Sequence, residues 1–210
     1  MFDNIKILSE GLNASFKVTI YLPDDYDKTD KTYKALYIVG GSNPFLIPTY
    51  SLEEILKQKN VIGISIYPNL EIKKNNLLFN VFDDKFGFAK IYEEFIINNI
   101  KPLIETKYRV TSEAKGNTIL GYKETAILAY SLSYHYTNQF SELYLHDIMI
   151  EPFKKKFMTD LMSRFDPNIS FFFSMQAADT AKLIEERLQM FGACSFKWYS
   201  NNLALLLEHL

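Results

Sequence analysis

Apolar and polar residues alternate along Asn4–Leu8 and again along Ser15–Leu22, the period of a half-buried strand. Gly11-Leu12-Asn13 between them predicts a turn, so the chain opens with a hairpin. Pro23-Asp24-Asp25-Tyr26-Asp27 ends the second strand, because proline has no N–H to give to a ladder. The pattern then changes. Lys34–Gly40 and Val61–Tyr67 are nearly unbroken apolar runs, as expected of strands covered on both faces. Between them, Ser51 followed by Glu54 forms a capping-box pattern, and Leu52, Ile55 and Leu56 form the apolar stripe of a helix over Ser51–Lys59. Strand, helix and strand in that order predict a βαβ crossover in a parallel sheet.

Pro68–Lys85 is polar and rich in Asn, Lys and Asp, which predicts a long surface loop and the one candidate insertion. Phe86–Tyr108 has helical periodicity, with Ile91, Phe95, Ile96, Ile100, Leu103 and Ile104 facing inward and Pro102 expected to kink or interrupt it. The alternation continues with strands at Asn117–Gly121, Glu142–Leu145, Ile169–Met175 and Ser195–Tyr199. Helices are expected at Glu124–Tyr136 (core face Ile127, Leu128, Ala129 and Leu132), Pro152–Phe165, Thr180–Phe191 and Leu203–His209. The expected fold is an α/β doubly wound, mostly parallel sheet with an antiparallel N-terminal hairpin, forming a single domain over residues 1–210.

Composition narrows the function. With 48% apolar and 15% aromatic residues among 210, the chain can fill a large core, which excludes disorder. A net charge of -2 and only three scattered arginines (Arg109, Arg164, Arg187) exclude nucleic acid and an anionic membrane surface as partners. A single cysteine, Cys194, excludes an internal disulfide and a thiolate zinc site. No metal and no cofactor is expected: Gly40-Gly41 lacks the spacing of a dinucleotide fingerprint. No apolar run reaches the about 18 residues that span a bilayer, and Met1-Phe2-Asp3-Asn4 has no basic stretch leading into an apolar one, so a cytoplasmic location is expected.

In an open α/β sheet, ligands gather beyond the carboxyl ends of the strands. Those ends read Gly40-Gly41-Ser42, Gly121-Tyr122-Lys123, Gln176–Asp179 and Ser200-Asn201-Asn202. The segment from Ser15 to Tyr26, ending Tyr21-Leu22-Pro23-Asp24-Asp25-Tyr26, is similar to the strand ending YLPxxY of the esterase D and enterochelin-esterase-like serine esterases. Tyr33–Gly41 is similar to the strand of that group ending in His-Gly, and Phe95–Val110 to its helix ending in Lys-Tyr-Arg-Val. Ile119-Leu120-Gly121 then leads into a helix, as does the strand before that group's nucleophile. Most of the chain thus resembles the α/β-hydrolase fold without a separate cap domain.

The resemblance implies serine-esterase chemistry at a G-x-S-x-G elbow, a strained strand-to-helix turn that exposes its serine. Here the elbow reads Gly121-Tyr122-Lys123-Glu124-Thr125, with Lys123 in the nucleophile's place. The histidine expected after the last strand is replaced by Asn202. Asp179 matches the family's acid, and Gly40, Gly41, Ser42 and Glu124 stand where oxyanion or ligand donors are expected. A triad acts as a unit, so no catalytic residue is assigned.

Two readings stay open. In one, the chain is a non-catalytic binding or interaction protein for a small molecule or another protein. In the other, it is an active serine hydrolase using another serine: Ser42, Ser131, Ser133 or Ser200. The resemblance also implies a homodimer. Lys123 could bind an anion, act as an amine, or pair with Glu124 or Asp179. Asp179 and Thr180 compete to cap the helix that follows them. His135 is expected to be structural. His146-Asp147 follows a strand end, with only Ser42 or Ser200 as a nucleophile to serve. Lys154-Lys155-Lys156 reads as a wet helix face, and Phe171-Phe172-Phe173 as core alternating across the sheet.

Overall fold

The computed structural model describes residues 1–40, 44–46, 52–68, 88–150, 154–164, 168–190, 196–199 and 202–210. Within these, one sheet holds eight strands: β1 (Phe2–Ser9), β2 (Ala14–Tyr21), β3 (Ala35–Val39), β4 (Ile62–Pro68), β5 (Asn117–Tyr122), β6 (Glu142–His146), β7 (Ser170–Ser174) and β8 (Phe196–Tyr199). Their spatial order is β1-β2-β4-β3-β5-β6-β7-β8. β1 and β2 pair antiparallel, as do β2 and β4, and every later pairing is parallel. The hairpin turn closes with Asn13 in the left-handed region (φ 46), a conformation asparagine tolerates.

The helices are α1 (Leu52–Lys59), α2 (Phe88–Phe95), α3 (Lys101–Lys107), α4 (Ala126–His135), α5 (Lys154–Arg164), α6 (Ala178–Gln189) and α7 (Leu203–Leu206). They cover the sheet from both sides. One core joins α2 to α6 to the sheet through Tyr37, Ile119, Phe171 and Phe173; the other joins α1 and α7 through Leu36, Ile38, Tyr144 and Phe172. The three consecutive phenylalanines thus divide between two cores, and Phe172 stacks on Tyr144 at 4.6 Å. All five β3 residues are buried, which explains why that strand shows no alternation.

The expected kink before Pro102 takes a definite form. Ile96–Ile100 is one π-helical turn between α2 and α3, and the Lys101 N–H donates to the Ile96 carbonyl five residues back. Pro102 has no N–H for the Asn98 carbonyl, and its ring would strike that carbonyl in a regular helix; widening the preceding turn relieves the clash. Ile91 and Leu103 are only half-buried, while Phe95, Ile96, Ile100 and Ile104 are fully inside.

Helix α4 is broader in its burial than its expected stripe. Ala126 to Ser133 are all buried, because the helix lies under β5 and β6 and is covered in turn by α2. The C-terminal helix is shorter than expected: it leaves α-geometry after Leu206 and ends as a 3₁₀ turn, Leu207–His209. The Ser51 cap, the loop expected over Pro68–Lys85 beyond Pro68 itself up to residue 87, and Cys194 lie outside the described residues. No described helix is long and apolar enough to cross a membrane.

Candidate functional site

The carboxyl ends of β3, β5, β6 and β7 lie side by side. β5 ends at Tyr122, and the chain turns through one 3₁₀ turn, Lys123–Thr125, into α4. Lys123 sits at φ 51, a left-handed conformation that disfavours any residue carrying a Cβ. This is the strained strand-to-helix turn expected of a nucleophile elbow, with lysine at its tip.

Two neighbours build the turn. At Gly121 an added Cβ would come within 2.6 Å of the Ala126 Cα and 2.7 Å of the Ala129 Cβ, so only glycine lets α4 lie this close to β5. Thr125, at the motif's second glycine position, is buried, and its hydroxyl lies 3.0 Å from the Val39 carbonyl and 2.8 Å from the Tyr122 carbonyl. It fastens the elbow to β3.

The Lys123 side chain is exposed. Among the described residues it forms no ion pair, so the expected pairing with Asp179 is absent. Asp179 is exposed in the first turn of α6 and makes no hydrogen bond to a described residue. The N-cap of that helix is Ala177, which corrects the capping role expected of Asp179 or Thr180. Asp179 still carries negative charge near the positive end of the helix. Thr180 accepts instead from Lys154 Nζ at 2.9 Å, which draws one lysine of the Lys154–Lys156 run toward α6.

Asn202 caps α7: its Oδ1 accepts from the N–H groups of Ala204 at 2.9 Å and Leu205 at 3.3 Å. The Gly40 N–H donates to the Ile66 carbonyl at 3.2 Å and is therefore engaged in the sheet, a correction to its expected role as an oxyanion donor. Glu124 lies in the elbow turn. Gly41, Ser42 and Ser200 lie outside the described residues.

The structure reveals a contact missed in the sequence. Tyr122 pairs with His146, so Lys123 and Asp147 follow adjacent strand ends, and Asp147 is also left-handed (φ 49). His146 Nδ1 lies 2.9 Å from Ser174 Oγ, which also accepts the Asp147 N–H at 3.0 Å. Gln176 Nε2 donates to Asp147 Oδ1 at 3.1 Å. Burial drives the His146 pKa down to about 4; the Asp147 carboxylate opposes that fall and the Lys123 ammonium adds to it. The imidazole is therefore neutral near pH 7. Ser174 is 0% exposed, and its hydroxyl makes both of these contacts to the end of β6. The pair ties β6 to β7 and fixes the Asp147 turn. The only hint in the sequence was that both residues end parallel strands that become neighbours.

Two of the alternative serines are also accounted for. Ser133 Oγ donates to the Tyr130 carbonyl at 2.6 Å. Ser131 Oγ donates to Glu93, whose other carboxylate oxygen is 2.7 Å from His135 Nδ1. Both serines are buried, and the Ser131–Glu93–His135 cluster clamps α2 to α4, giving His135 the structural role expected of it. No group of three or more metal-ligating side chains occurs among the described residues.

Known proteins share this architecture. The backbone superposes on a ferulic acid esterase with TM-score 0.76 at 16% identity, covering 99% of this chain and 94% of that one. An IroE-like serine hydrolase from Shewanella oneidensis gives TM-score 0.74 at 15% identity, covering 100% of this chain and 77% of that one. The enterobactin esterase FES from Shigella flexneri gives 0.77 at 12% identity, covering 96% and 54%. In sequence, the uncharacterized protein YbbA of Bacillus subtilis (strain 168) is 25% identical over 144 residues, or 65% of this chain, and the chain spans 58% of that protein's length. Residues 9–182 match the family described as "Esterase: Putative esterase", and that match, with the strand order and the elbow already in place, makes this chain a member of the esterase family with the α/β-hydrolase fold.

Proposed function

We propose that this esterase-family chain is a cytoplasmic, single-domain binding or interaction protein that does not cleave esters at its elbow. The observation that carries the reading is Lys123: an exposed side chain without a hydroxyl, at the strained tip of the elbow. Acyl transfer by the family mechanism needs an alcohol there and an imidazole to take its proton. Asn202 supports the reading, because the position where the resemblance expects the imidazole is occupied by a helix cap. What remains at the strand ends is a polar surface bearing Lys123, Asp147 and Gln176, suited to holding a ligand rather than to breaking one.

A fluorophosphonate probe tests this directly, since it labels any activated serine. The intact protein is expected to keep its mass, and Lys123→Ser is expected to leave the esterase rate unchanged because Asn202 stands where an imidazole would take the proton of the new hydroxyl. A stoichiometric adduct on the unmodified protein would overturn the reading in favour of a hydrolase using a serine outside the elbow, such as Ser42 or Ser200.

A further inference from the structure

Strand β1 is one of the two edges of the described sheet, and its backbone has an unambiguous polarity. Met1 and Leu22 exchange both backbone hydrogen bonds, at 2.8 and 3.0 Å. Antiparallel pairs alternate between bonded and non-bonded, so the odd-numbered residues of β1 turn their N–H and C=O groups toward β2. Phe2, Asn4, Lys6 and Leu8 turn theirs away from the sheet. The Asn4 N–H confirms this parity: it bonds not to β2 but to the carboxylate of Asp3, at 2.7 Å.

Soluble proteins blunt such an edge with proline, bulges, short strands or charged side chains, of which β1 carries two, Asp3 and Lys6. β1 has no proline, pairs in register over all eight residues without a bulge, and exposes Phe2 (41%) and Leu8 (64%) on the same face. A strand of this kind is a template for another strand.

We propose that β1 pairs antiparallel with β1 of a second copy of this chain, joining two sheets into one across a two-fold axis at Ile5. A two-fold axis perpendicular to a continuous sheet keeps each face on its own side, so residues of like parity must meet. Centring the axis on Ile5 sets Phe2 opposite Leu8 and Asn4 opposite Lys6, each twice. Every outward-facing backbone group between Phe2 and Leu8 is then used in a bonded pair. The exposed apolar side chains cover each other, and each lysine meets an asparagine. Moving the axis by one residue toward the C-terminus places Lys6 against Lys6, a like-charge pair; moving it the other way places Phe2 against Lys6. The Asn4 N–H exchanges the Asp3 carboxylate for the carbonyl of Lys6 in the second copy, while Asp3 keeps its bond from the Tyr108 hydroxyl.

The test uses the full chain in sedimentation and light scattering over a concentration series. A concentration-dependent dimer is expected. Lys6→Pro removes an outward N–H without touching the β1–β2 ladder, so it should give a monomer with an unchanged circular dichroism spectrum. Leu8→Lys should weaken dimerisation about tenfold. The register is read by cross-linking with Cys194 replaced by serine. Ile5→Cys faces itself in a non-bonded pair, with Cα atoms about 4.5 Å apart and within disulfide range, and should form a covalent dimer under mild oxidant. Ile7→Cys faces Asp3 and should not. A chain that stays monomeric at every concentration, a dimer that survives both Lys6→Pro and Leu8→Lys, or cross-linking through Ile7 rather than Ile5 overturns the proposal.

Discussion

Replacing Lys123 with glycine should make the protein more stable, a result opposite to that of most substitutions. The left-handed conformation at φ 51 costs a residue with a Cβ about 1–2 kcal/mol, and glycine does not incur that cost. Against this, glycine gives the unfolded chain extra freedom, worth about 0.5–1 kcal/mol. The lysine side chain is exposed and forms no ion pair among the described residues, so no described ion pair is lost with it. The balance is a gain of about 0.5–1 kcal/mol. For a chain of this size, that raises the melting temperature by roughly 1–4 °C, read by calorimetry or by the midpoint of a urea transition at unchanged slope. A fall of several degrees would refute the reasoning: it would mean that Lys123 holds the turn through contacts and owes its place to stability.

The remaining predictions concern the groups around it. Because burial drives the His146 pKa down from 6.5 to about 4, the unfolded chain takes up a proton in that window while the folded one does not. Stability is therefore complete above pH 6.5, falls by about 3 kcal/mol as the pH drops to 4, and changes no further below that on this group's account. The difference between wild type and His146→Asn in urea titrations across that range isolates the effect, and parallel curves would contradict it. Gly121→Ala drives a methyl into the backbone of α4 and should destabilise by about 2–4 kcal/mol, seen as a lower urea midpoint. Asn202→Ala removes the cap of α7 and should lose about 1 kcal/mol in the same assay.

The sheet was legible in the sequence because its signals are local. Alternation marked β1 and β2, unbroken apolar runs marked β3 and β4, and the ends of each run fell within one or two residues of the observed strands. The elbow was legible for the same reason: Gly121 and the residues after it are contiguous. The features that escaped depend on contacts between distant segments. Nothing near Ser174 announces that β7 will lie beside β6 and deliver its hydroxyl to His146. Glu93 looks like one polar position of an amphipathic helix until α4 brings Ser131 and His135 against it. Asp179 misled because aspartate favours the cap in general, whereas the turn after β7 places Ala177 there. Gly40 misled because the sequence does not say whether an amide points along the sheet or out of it; the Ile66 carbonyl decides.

At the elbow and the turn after the last strand, three positions depart from the pattern of the serine esterases that the chain resembles, and physical chemistry treats them differently. At the second glycine of the elbow, Thr125 brings a buried hydroxyl that binds the turn to β3, so the exchange strengthens the fold. At the histidine position, Asn202 supplies two hydrogen bonds to a helix start, a role asparagine fills far better than histidine. Both residues are explained by stability alone. Lys123 is not: it bears the strain of the elbow, offers its ammonium to solvent and forms no side-chain ion pair among the described residues. Strain that persists where no stabilising contact compensates for it is expected where a side chain is held out for use. The same glycine substitution that should raise the melting temperature therefore separates the two properties. If Lys123 is the point of the site, Lys123→Gly gives a more stable protein that has lost its ligand, and a variant that gains stability while binding unchanged would show the lysine to be dispensable.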